Sequence, residues 1–415
     1  MKIIYFYQYF STPKGSWGTR VYDFAKRWTE EGHEVTVVTS IYAKSDLKAS
    51  RWSEEQLIDG IRVKVLNLEI NNKQSILRRI WTFLVFAVWS SWYALTLPAD
   101  VVVASSGPIT VGLPGLLARY VRGRKLVFEV RDLWPDTAIL MEALPNKLAQ
   151  KLAYWFERQC YRAAHLIVAL SPGIQQNIAK RYGFTHSISV PNATNLDLFG
   201  TPVPSVNLPD ALSGKKVVIY TGNIGAVNNS GLLYETAKVL QNRSDIVMLL
   251  IGDGQMKQAL QDQLKQDALP NFLLYDLMPK NELVAYVQRA WLAIVPLKRA
   301  PLLDTSSPNK LMEALAAGVP VIQTTEGWIK QFLEEHQCGF TFSSDDPNEL
   351  ANLLIKLADD PAWRQPMGQR AARVARHLFD KNQLAIGYLT ALHHVCQSNE
   401  RYTNRPADRT QWVSG

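Results

Sequence analysis

Cysteine is scarce in this sequence of 415 residues, and its placement excludes several kinds of protein. The three cysteines, Cys160, Cys338 and Cys396, are far apart and odd in number. A disulfide framework needs paired cysteines, and metal or redox sites need short spacings between them, so neither organises this chain. We predict buried positions for these thiols and a reducing compartment, the cytoplasm, for the protein.

The first residues also lack the pattern of a secretory signal. Met1–Phe10 has one lysine and an apolar stretch that Gln8 interrupts, without the small residues of a cleavage site. This composition favours a first β-strand.

Excess charge is absent from the C-terminal half. Residues 1–200 contain 24 Lys and Arg against 16 Asp and Glu, whereas the remainder contains 21 of each, so the net charge of +8 belongs to the first half. Only that half is expected to attract an anionic partner. Because the sequence has no basic repeat, zinc-knuckle spacing or RNP-like motif, we predict no nucleic-acid partner and expect an anionic membrane surface instead.

One long uncharged run, Ile80–Leu97, follows the cations Lys73, Arg78 and Arg79. Its 18 residues are nearly enough to span a bilayer. However, it contains several hydroxyl side chains and leads directly into the apolar stretch Val101–Ala104, as a packed crossover helix would. Three alternatives stay open: a buried helix, a helix seated at a membrane interface, which its tryptophans favour, and a membrane span.

Strand-like and helix-like segments alternate throughout the chain, which is typical of doubly wound parallel sheets. A Pro-rich stretch within 201–214 has the composition of a linker. We therefore predict Rossmann-like α/β domains at 1–200 and 215–376, a long helix within 377–397 and a flexible tail at 398–415. The predicted strands are Lys2–Tyr7, Glu34–Thr39, Val101–Ala104, Lys125–Val130, Leu166–Leu170, Ser187–Val190, Lys216–Thr221, Ile246–Ile251, Phe272–Tyr275, Leu292–Val295, Val319–Gln323 and Gly339–Phe342.

The segment Ser307–Val321 carries the strongest functional signal. Its pattern predicts a helix that starts near Ser306 or Ser307, with Pro308 in the first turn. Free N–H groups and the helix dipole favour an anion at that end. We predict Lys310 as a diphosphate contact and Glu313 as an acceptor of hydroxyl hydrogen bonds; the alternative is a solvated ion pair between them.

Glycine-rich turns are predicted after the first strands of both halves, where backbone N–H groups can meet a ligand. In the first half, Gly15, Gly18 and Arg20 are candidates. In the second half, two turns are expected to face one crevice. Their candidate binding residues are Gly222, Asn223, Gly225, Gly252 and Asp253. The alternative is that these small residues only permit tight strand-to-helix turns.

Charged residues also follow an apolar strand at Glu129–Asp136. Charges at the carboxyl end of a strand in such a sheet lie at the ligand crevice, which makes Arg131 and Asp132 candidate catalytic residues. The structural alternative is an ion pair between Arg131 and a carboxylate that holds the loop.

Together these motifs resemble family 4 glycosyltransferases of the GT-B fold, and in particular bacterial enzymes that build O-antigen, capsule or exopolysaccharide units, of the aminodeoxysugar transferase type. The resemblance covers nearly all of residues 1–395. It depends on Tyr7–Phe10 with Gly15–Arg20, Val130–Pro135, Val190–Phe199, Gly222–Gly225, Gly252–Gly254 and Ser307–Val321.

The resemblance implies two Rossmann-like domains facing a central cleft, with the C-terminal helix crossing back to the N-terminal domain. It implies a retaining transferase whose C-terminal domain binds a nucleotide-diphospho-sugar, expected to be a UDP-sugar, without a metal or other cofactor. Glu313 would bind the ribose hydroxyls and Lys310 the diphosphate, while Arg131 and Asp132 occupy the family's catalytic region. The expected acceptor is a polyprenyl-diphosphate-linked glycan, reached from the cytoplasmic face of the membrane by a peripherally bound enzyme.

Departures from the family pattern affect the donor site. Thr305 stands where the family has its first glutamate, with Asp304 one residue away. The usual cations after Gly225 are missing, and Lys298, together with Arg299, is expected to compensate. These residues join Ser307 and Asn309 as predicted donor contacts. Two alternatives stay open. One is a GT-B sugar-nucleotide epimerase, which would share the nucleotide-binding site but would not need a basic, tryptophan-rich first half. The other is a non-catalytic nucleotide-sugar-binding subunit, which Thr305 and the missing cations allow.

Overall fold

A computed structural model describes residues 1–71, 74–203, 209–398 and 400–402. The chain divides into two units, of which the first combines Met1–Pro191 with the chain from Lys381 onward and the second is Asn192–Asp380. The predicted boundaries were 200 and 377. Part of the predicted linker, most of the predicted tail, and Lys73 lie outside the described residues.

The first unit is built on an eight-stranded sheet in the order β3-β4-β2-β1-β5-β6-β7-β8. All neighbouring strands are parallel except β3 and β4, which form an antiparallel hairpin at one edge. Its strands are β1 (Lys2–Phe6), β2 (Glu34–Tyr42), β3 (Ser53–Ile58), β4 (Ile61–Ile70), β5 (Val101–Ser106), β6 (Lys125–Val130), β7 (Leu166–Ala169) and β8 (Ser187–Ser189).

Helices cover the sheet of the first unit. They are α1 (Arg20–Glu30), α2 (Ile76–Thr96), α3 (Gly112–Tyr120), α4 (Asp136–Leu140), α5 (Lys147–Ala163), α6 (Pro172–Tyr182) and the C-terminal α15 (Lys381–Gln397), with a 3-10 turn at Ile109–Val111. The central strands are buried on both faces, as continuous runs of Val, Ile and Phe in a parallel sheet require.

The second unit contains a six-stranded parallel sheet in the order β11-β10-β9-β12-β13-β14. Its strands are β9 (Lys216–Asn223), β10 (Ile246–Asp253), β11 (Phe272–Tyr275), β12 (Leu292–Val295), β13 (Val321–Gln323) and β14 (Gly339–Thr341). Its helices are α7 (Leu196–Phe199), α8 (Ser230–Val239), α9 (Lys257–Asp267), α10 (Lys280–Arg289), α11 (Asn309–Ala316), α12 (Trp328–His336), α13 (Pro347–Asp359) and α14 (Arg364–Leu378), with 3-10 turns at Asp210–Leu212, Ala226–Asn228, Leu303–Thr305 and Pro361–Trp363. Apolar clusters lie on both faces of this sheet.

The uncharged run of the sequence forms most of α2. One face of this helix is buried, including Phe83, Phe86 and Ala87, and packs on α3 and β4. The opposite face carries exposed tryptophans, with Trp81 at 61% and Trp92 at 60% of full exposure. Among the residues described, we find no helix with the length and apolarity that a bilayer crossing requires.

The C-terminal helix α15 belongs to the first unit, where it packs on α1. The indole N–H of Trp28 donates to the carbonyl oxygen of Ala385 at 2.8 Å, and the ring of Tyr388 meets that indole edge-on at 5.4 Å. The last described helix therefore completes the core around α1.

Candidate functional site

Lys310 lies near the start of α11, in the second unit. Its Nζ is 4.0 Å from the centre of the Tyr220 ring and donates to the Tyr220 hydroxyl at 2.9 Å, with Asn228 Oδ1 at 3.4 Å. Burial lowers the pKa of Lys310 to about 7, against an opposing effect of the Glu313 charge. The ammonium group has neutral or aromatic contacts, so a phosphate anion would stabilise its charged form.

Glu313, one turn further along α11, does not form the ion pair with Lys310 that was the alternative to a ligand site. Its Oε1 instead accepts from Lys280 Nζ at 2.6 Å, and its side chain is nearly buried. Both Glu313 and Lys310 line a small cavity that also includes Thr221 at the end of β9. Helix α11 therefore places one cation and one carboxylate beside the same cavity. Tyr220 is the partner of Lys310, and Lys280 is the partner of Glu313.

The helix itself begins later than predicted. It starts at Asn309, with Pro308 as the extended residue before it, instead of at Ser306 or Ser307. The pyrrolidine ring of Pro308 permits that extended geometry, and the preceding Ser307 is used to hold the loop. The carbonyl oxygen of Ser307 accepts from Asn192 Nδ2 at 2.6 Å, and its Oγ accepts weakly from Asn192 N–H at 3.5 Å.

The glycine-rich turns predicted in the second half are the ends of strands. Strands β9 and β10 continue in register through Gly222 opposite Gly252 and Asn223 opposite Asp253. A Cβ on Gly252 would lie 1.8 Å from the Gly222 carbonyl oxygen, so the pairing requires glycine there. Gly222 has φ +124°, and a Cβ there would lie 3.3 Å from Lys310 Nζ, which brings this strand end beside the lysine.

Several other predicted donor contacts have internal partners. Gly225 donates its N–H to Ser230 Oγ at 3.2 Å. Asp304 Oδ1 accepts from the N–H of Glu326 at 2.8 Å, and Thr305 Oγ1 donates to a carbonyl within its own turn. Lys298 is exposed, with its backbone N–H bonded to Val227. Their ligand roles stay predictions.

In the first unit, the Arg20 side chain is buried and hydrogen-bonded within the protein. Its Nε and Nη2 donate to Oε1 of Glu129 at 3.0 and 2.9 Å, and its Nη1 donates to the carbonyl oxygen of Pro191. Glu129 is fully buried and also accepts from Tyr5 and Ser105. Burial opposes the charge of Glu129, but Arg20 and its other partners hold its pKa below the usual value. Arg20 thus has a structural role that competes with the ligand contact predicted for it.

Arg131 and Asp132 directly follow β6. The Arg131 guanidinium carbon lies 4.7 Å from the centre of the Tyr7 ring, and its backbone N–H donates to Ser106 Oγ. Among the residues described, the Arg131 guanidinium has no ion-pair partner within 4.0 Å; the loop is held instead by Arg181, which contacts both oxygens of Asp136 at 2.6 and 3.0 Å. The ion pair expected as the structural alternative therefore exists with a different arginine.

Two further candidates belong to the loop before α1. Gly15 is tightly enclosed, since a Cβ there would lie 2.2 Å from Ser11 Oγ and 3.1 Å from backbone atoms of Lys44 and Asp46. Gly18 lies in the irregular segment just before the helix. Close packing explains Gly15 without a ligand, and its binding role stays a prediction.

Three residues of the second-unit site were not predicted from the sequence. Tyr220 lies under Lys310, Lys280 pairs with Glu313, and Lys257 Nζ donates to the carbonyl oxygen of Gly252 at 3.0 Å. A tyrosine within an apolar strand and a lysine at a helix start carry no distinctive local pattern. Their proximity to Lys310, Glu313 and Gly252 arises from the sheet and helix packing.

Comparisons with known proteins agree with this architecture. A family model described as "Glycosyl transferases group 1" matches residues 209–374, and one described as "Glycosyl transferase 4-like domain" matches residues 15–193. Similar proteins include WbjE of Pseudomonas aeruginosa, named as a glycosyltransferase (22% identity; 63% of this chain and 66% of that protein), and WcaI of Escherichia coli (strain K12), named as a colanic acid biosynthesis glycosyl transferase (25% identity; 72% and 77%). The crystal structure of Anabaena HepE with UDP and glucose has a TM-score of 0.65, with 17% identity, over 95% of this chain and 99% of that one.

Two parallel-sheet α/β units of this kind define the GT-B fold class, as predicted. The chain belongs to the family 4 glycosyltransferases, and it is an enzyme that transfers sugars. This assignment confirms the resemblance found in the sequence and disfavours the epimerase and the non-catalytic subunit.

Proposed function

We propose that this enzyme is a retaining glycosyltransferase that moves a sugar from a UDP-sugar to a polyprenyl-diphosphate-linked glycan in surface polysaccharide synthesis. The observation that carries the donor assignment is Lys310, whose ammonium lies at the start of α11 beside Gly222 and, in the described part of the chain, has no carboxylate within 4.0 Å. A diphosphate supplies the missing countercharge. HepE, which has the same fold, was solved with UDP and glucose, and this makes UDP the first nucleotide to test.

The polysaccharide assignment has separate support. WcaI, which is similar over 72% of this chain, is named for colanic acid biosynthesis. The lipid-linked acceptor that the family resemblance implies agrees with the exposed tryptophans of α2 and the excess of positive charge in residues 1–200.

In the proposed reaction, Glu313 accepts hydrogen bonds from the ribose hydroxyls and Lys310 neutralises the diphosphate. The bond between the sugar C1 and the diphosphate oxygen breaks as the acceptor oxygen forms a bond to C1 on the same face. The departing phosphate oxygen takes the acceptor proton, so charge and atoms balance without a protein base. Lys310 stabilises the charge that grows on the leaving group, and we expect no metal requirement.

Donor identity and the metal requirement are tested together by incubating the full chain with UDP-, GDP- and dTDP-sugars, each with and without a polyprenyl-diphosphate-linked sugar and with EDTA. We expect acceptor-dependent release of UDP that EDTA does not reduce. Release of a different nucleoside diphosphate would reject the UDP assignment, and loss of activity in EDTA would reject metal independence. Binding without release of any nucleotide would contradict the proposed transfer to this acceptor.

Membrane association is a separate element of the proposal. The exposed side of α2 includes Trp81 and Trp92, and α5 adds exposed Leu148, Leu152 and Trp155 in the same unit. Tryptophan favours the boundary between lipid headgroups and acyl chains, and positive charge attracts anionic lipids. We therefore propose that the first unit binds the membrane peripherally.

We expect the protein to sediment with vesicles that contain anionic lipid and only weakly with neutral vesicles. Raising the salt concentration from about 0.1 M to about 1 M should release the protein from the anionic vesicles. Replacing Trp81 and Trp92 by glutamine should weaken binding by about tenfold or more, because their apolar area no longer leaves water. Val239→Gln, at an exposed apolar position in the second unit, is the control. Equal sedimentation with neutral and anionic vesicles, or no effect of the double substitution, would contradict this proposal.

A further inference from the structure

Arg79 and Arg131 of the first unit form no ion pair with a carboxylate among the residues described, and each has a buried guanidinium nitrogen without a hydrogen-bond partner there. We use the name basic-aromatic cluster for Tyr7, Tyr9, Arg79, Arg131 and Asp132. Tyr7 and Tyr9 follow β1, and Arg131 and Asp132 follow β6. Strand β5 separates β1 from β6, so these residues share the carboxyl edge of one parallel sheet, where ligands of such sheets bind.

Arg131 is positioned by its surroundings without a direct ion pair among the residues described. Its guanidinium lies over Tyr7 at 4.7 Å, and its Nη1 is buried without a hydrogen-bond partner among the residues described. Burial opposes the charge of Arg131, but the neighbouring tyrosines together with Glu129 and Asp132 raise its pKa above the usual value. Glu129 is itself already hydrogen-bonded by Arg20, Tyr5 and Ser105.

Arg79, in the first turn of α2, is the second arginine with a buried N–H that has no hydrogen-bond partner among the described residues. Its Nε is buried and unbonded among the described residues, and its guanidinium carbon lies 5.9 Å from the centre of the Phe83 ring. Burial raises the pKa of the Tyr9 hydroxyl; the nearby Arg79 charge opposes this rise, and the Asp132 charge adds to it. Tyr9 packs edge-on against Tyr42 at 5.1 Å. Tyr9 thus connects Arg79 electrostatically with the residues that follow β6.

Arg20, in the same unit, shows the hydrogen bonds that Arg79 and Arg131 do not make among the described residues. Arg20 directs three nitrogens to Glu129 and the Pro191 carbonyl, whereas Arg79 and Arg131 each retain a buried N–H that is unbonded in the described structure. An unsatisfied buried donor is costly, particularly on a charged group. Guanidinium groups match phosphate oxygens in charge and geometry, and the start of α2 adds its helix dipole.

We propose that the basic-aromatic cluster binds a phosphate or diphosphate ester of the acceptor, with Arg79 and Arg131 as its two cationic contacts. This inference deepens the proposed function and rests on it. The acceptor is favoured over the donor because the cluster lies in the first unit, whereas Lys310 and Glu313 lie in the second. It is also favoured because α2 carries exposed Leu77 and Trp81 next to Arg79 in sequence, which suits an anion attached to a lipid.

The test measures binding of farnesyl diphosphate and, separately, of UDP to the full chain by titration calorimetry. Arg79→Gln and Arg131→Gln are compared with Arg78→Gln, which removes the same charge from an exposed neighbouring position of α2. We expect each of the first two variants to bind farnesyl diphosphate about 10- to 100-fold more weakly, since each loses charge-assisted hydrogen bonds. Arg78→Gln should change this affinity by less than about threefold, and no variant should change UDP affinity appreciably.

Farnesol, which has the same chain without the diphosphate, should bind all variants alike. If UDP binding weakens more than farnesyl diphosphate binding, the cluster recognises the donor and the inference is wrong. Unchanged farnesyl diphosphate affinity in Arg79→Gln would also overturn it, and this variant decides the matter if Arg131→Gln does not fold. Acceptor-dependent UDP release by the wild-type chain tests the proposed function independently, so failure of one is distinguishable from failure of the other.

Discussion

Replacing Glu313 by alanine is expected to lower kcat/KM for the donor by about 100-fold or more. In our proposal its carboxylate accepts hydrogen bonds from two ribose hydroxyls, and hydrogen bonds to a charged group contribute about 1.5–3 kcal/mol each. The position is nearly buried and faces the same cavity as Lys310, so water replaces the lost contacts poorly. The measurement is the initial rate of acceptor-dependent UDP release over a range of donor concentrations.

Two variants control for indirect effects of this substitution. Glu335→Ala removes an exposed carboxylate from α12 in the same unit and should leave the rate unchanged. Lys280→Met removes the partner that holds Glu313 at 2.6 Å, and we expect a smaller loss because the carboxylate itself remains. A Glu313→Ala enzyme that melts like the wild type and turns over at the wild-type rate would show that the ribose site lies elsewhere.

Replacing Lys310 by methionine is expected to weaken UDP binding by about 10- to 100-fold. The substitution keeps much of the side-chain length but removes the cation that lies over Tyr220 at 4.0 Å. In the proposed mechanism the same cation stabilises the leaving diphosphate, so kcat should fall together with affinity. Titration calorimetry with UDP and the rate of UDP release measure the two effects.

The pH dependence of UDP binding follows from the same residue. Since the pKa of Lys310 is lowered to about 7, its amine is largely neutral at pH 8 in the ligand-free protein. A bound diphosphate favours the ammonium form and raises that pKa, so binding at pH 8 takes up about one proton and affinity falls as the pH rises above 7. Calorimetry in buffers of different ionisation enthalpy measures this uptake.

Lys310→Met should abolish the proton uptake, and Lys356→Met, at an exposed position on α13, should retain it. Uptake that persists in Lys310→Met would assign the linked proton to another group. A UDP affinity that is the same in Lys310→Met and the wild type would contradict the assignment of Lys310 to the diphosphate.

Much of the fold could be predicted from the sequence because buried parallel strands are continuous apolar runs. The predicted segments Lys125–Val130, Phe272–Tyr275 and Leu292–Val295 coincide with observed strands. The hairpin of β3 and β4 was missed because its residues are mixed in polarity at a sheet edge. Asp59 and Gly60, both at positive φ, form its turn, and an Asp-Gly pair between alternating residues is the signal that would have revealed it.

The candidate site was predictable only in part. Lys310 and Glu313 could be found because helical spacing relates neighbours along the chain. Their contacts could not, since Tyr220 is 90 residues from Lys310 and Lys280 is 33 residues from Glu313. The ends of β9 and β10 were placed too early because glycine usually ends a strand, whereas here it permits the close approach of two backbones.

The C-terminal helix has a consequence for the order in which the protein is made and folded. Trp28 and Tyr388 share one buried contact, but about 360 residues of chain are synthesised between them, including the whole second unit. The N-terminal part of the chain leaves the ribosome first and must wait for α15 to cover the apolar face of α1. Every residue of the second unit is synthesised before α15, so we expect the second unit to finish folding before the first unit does.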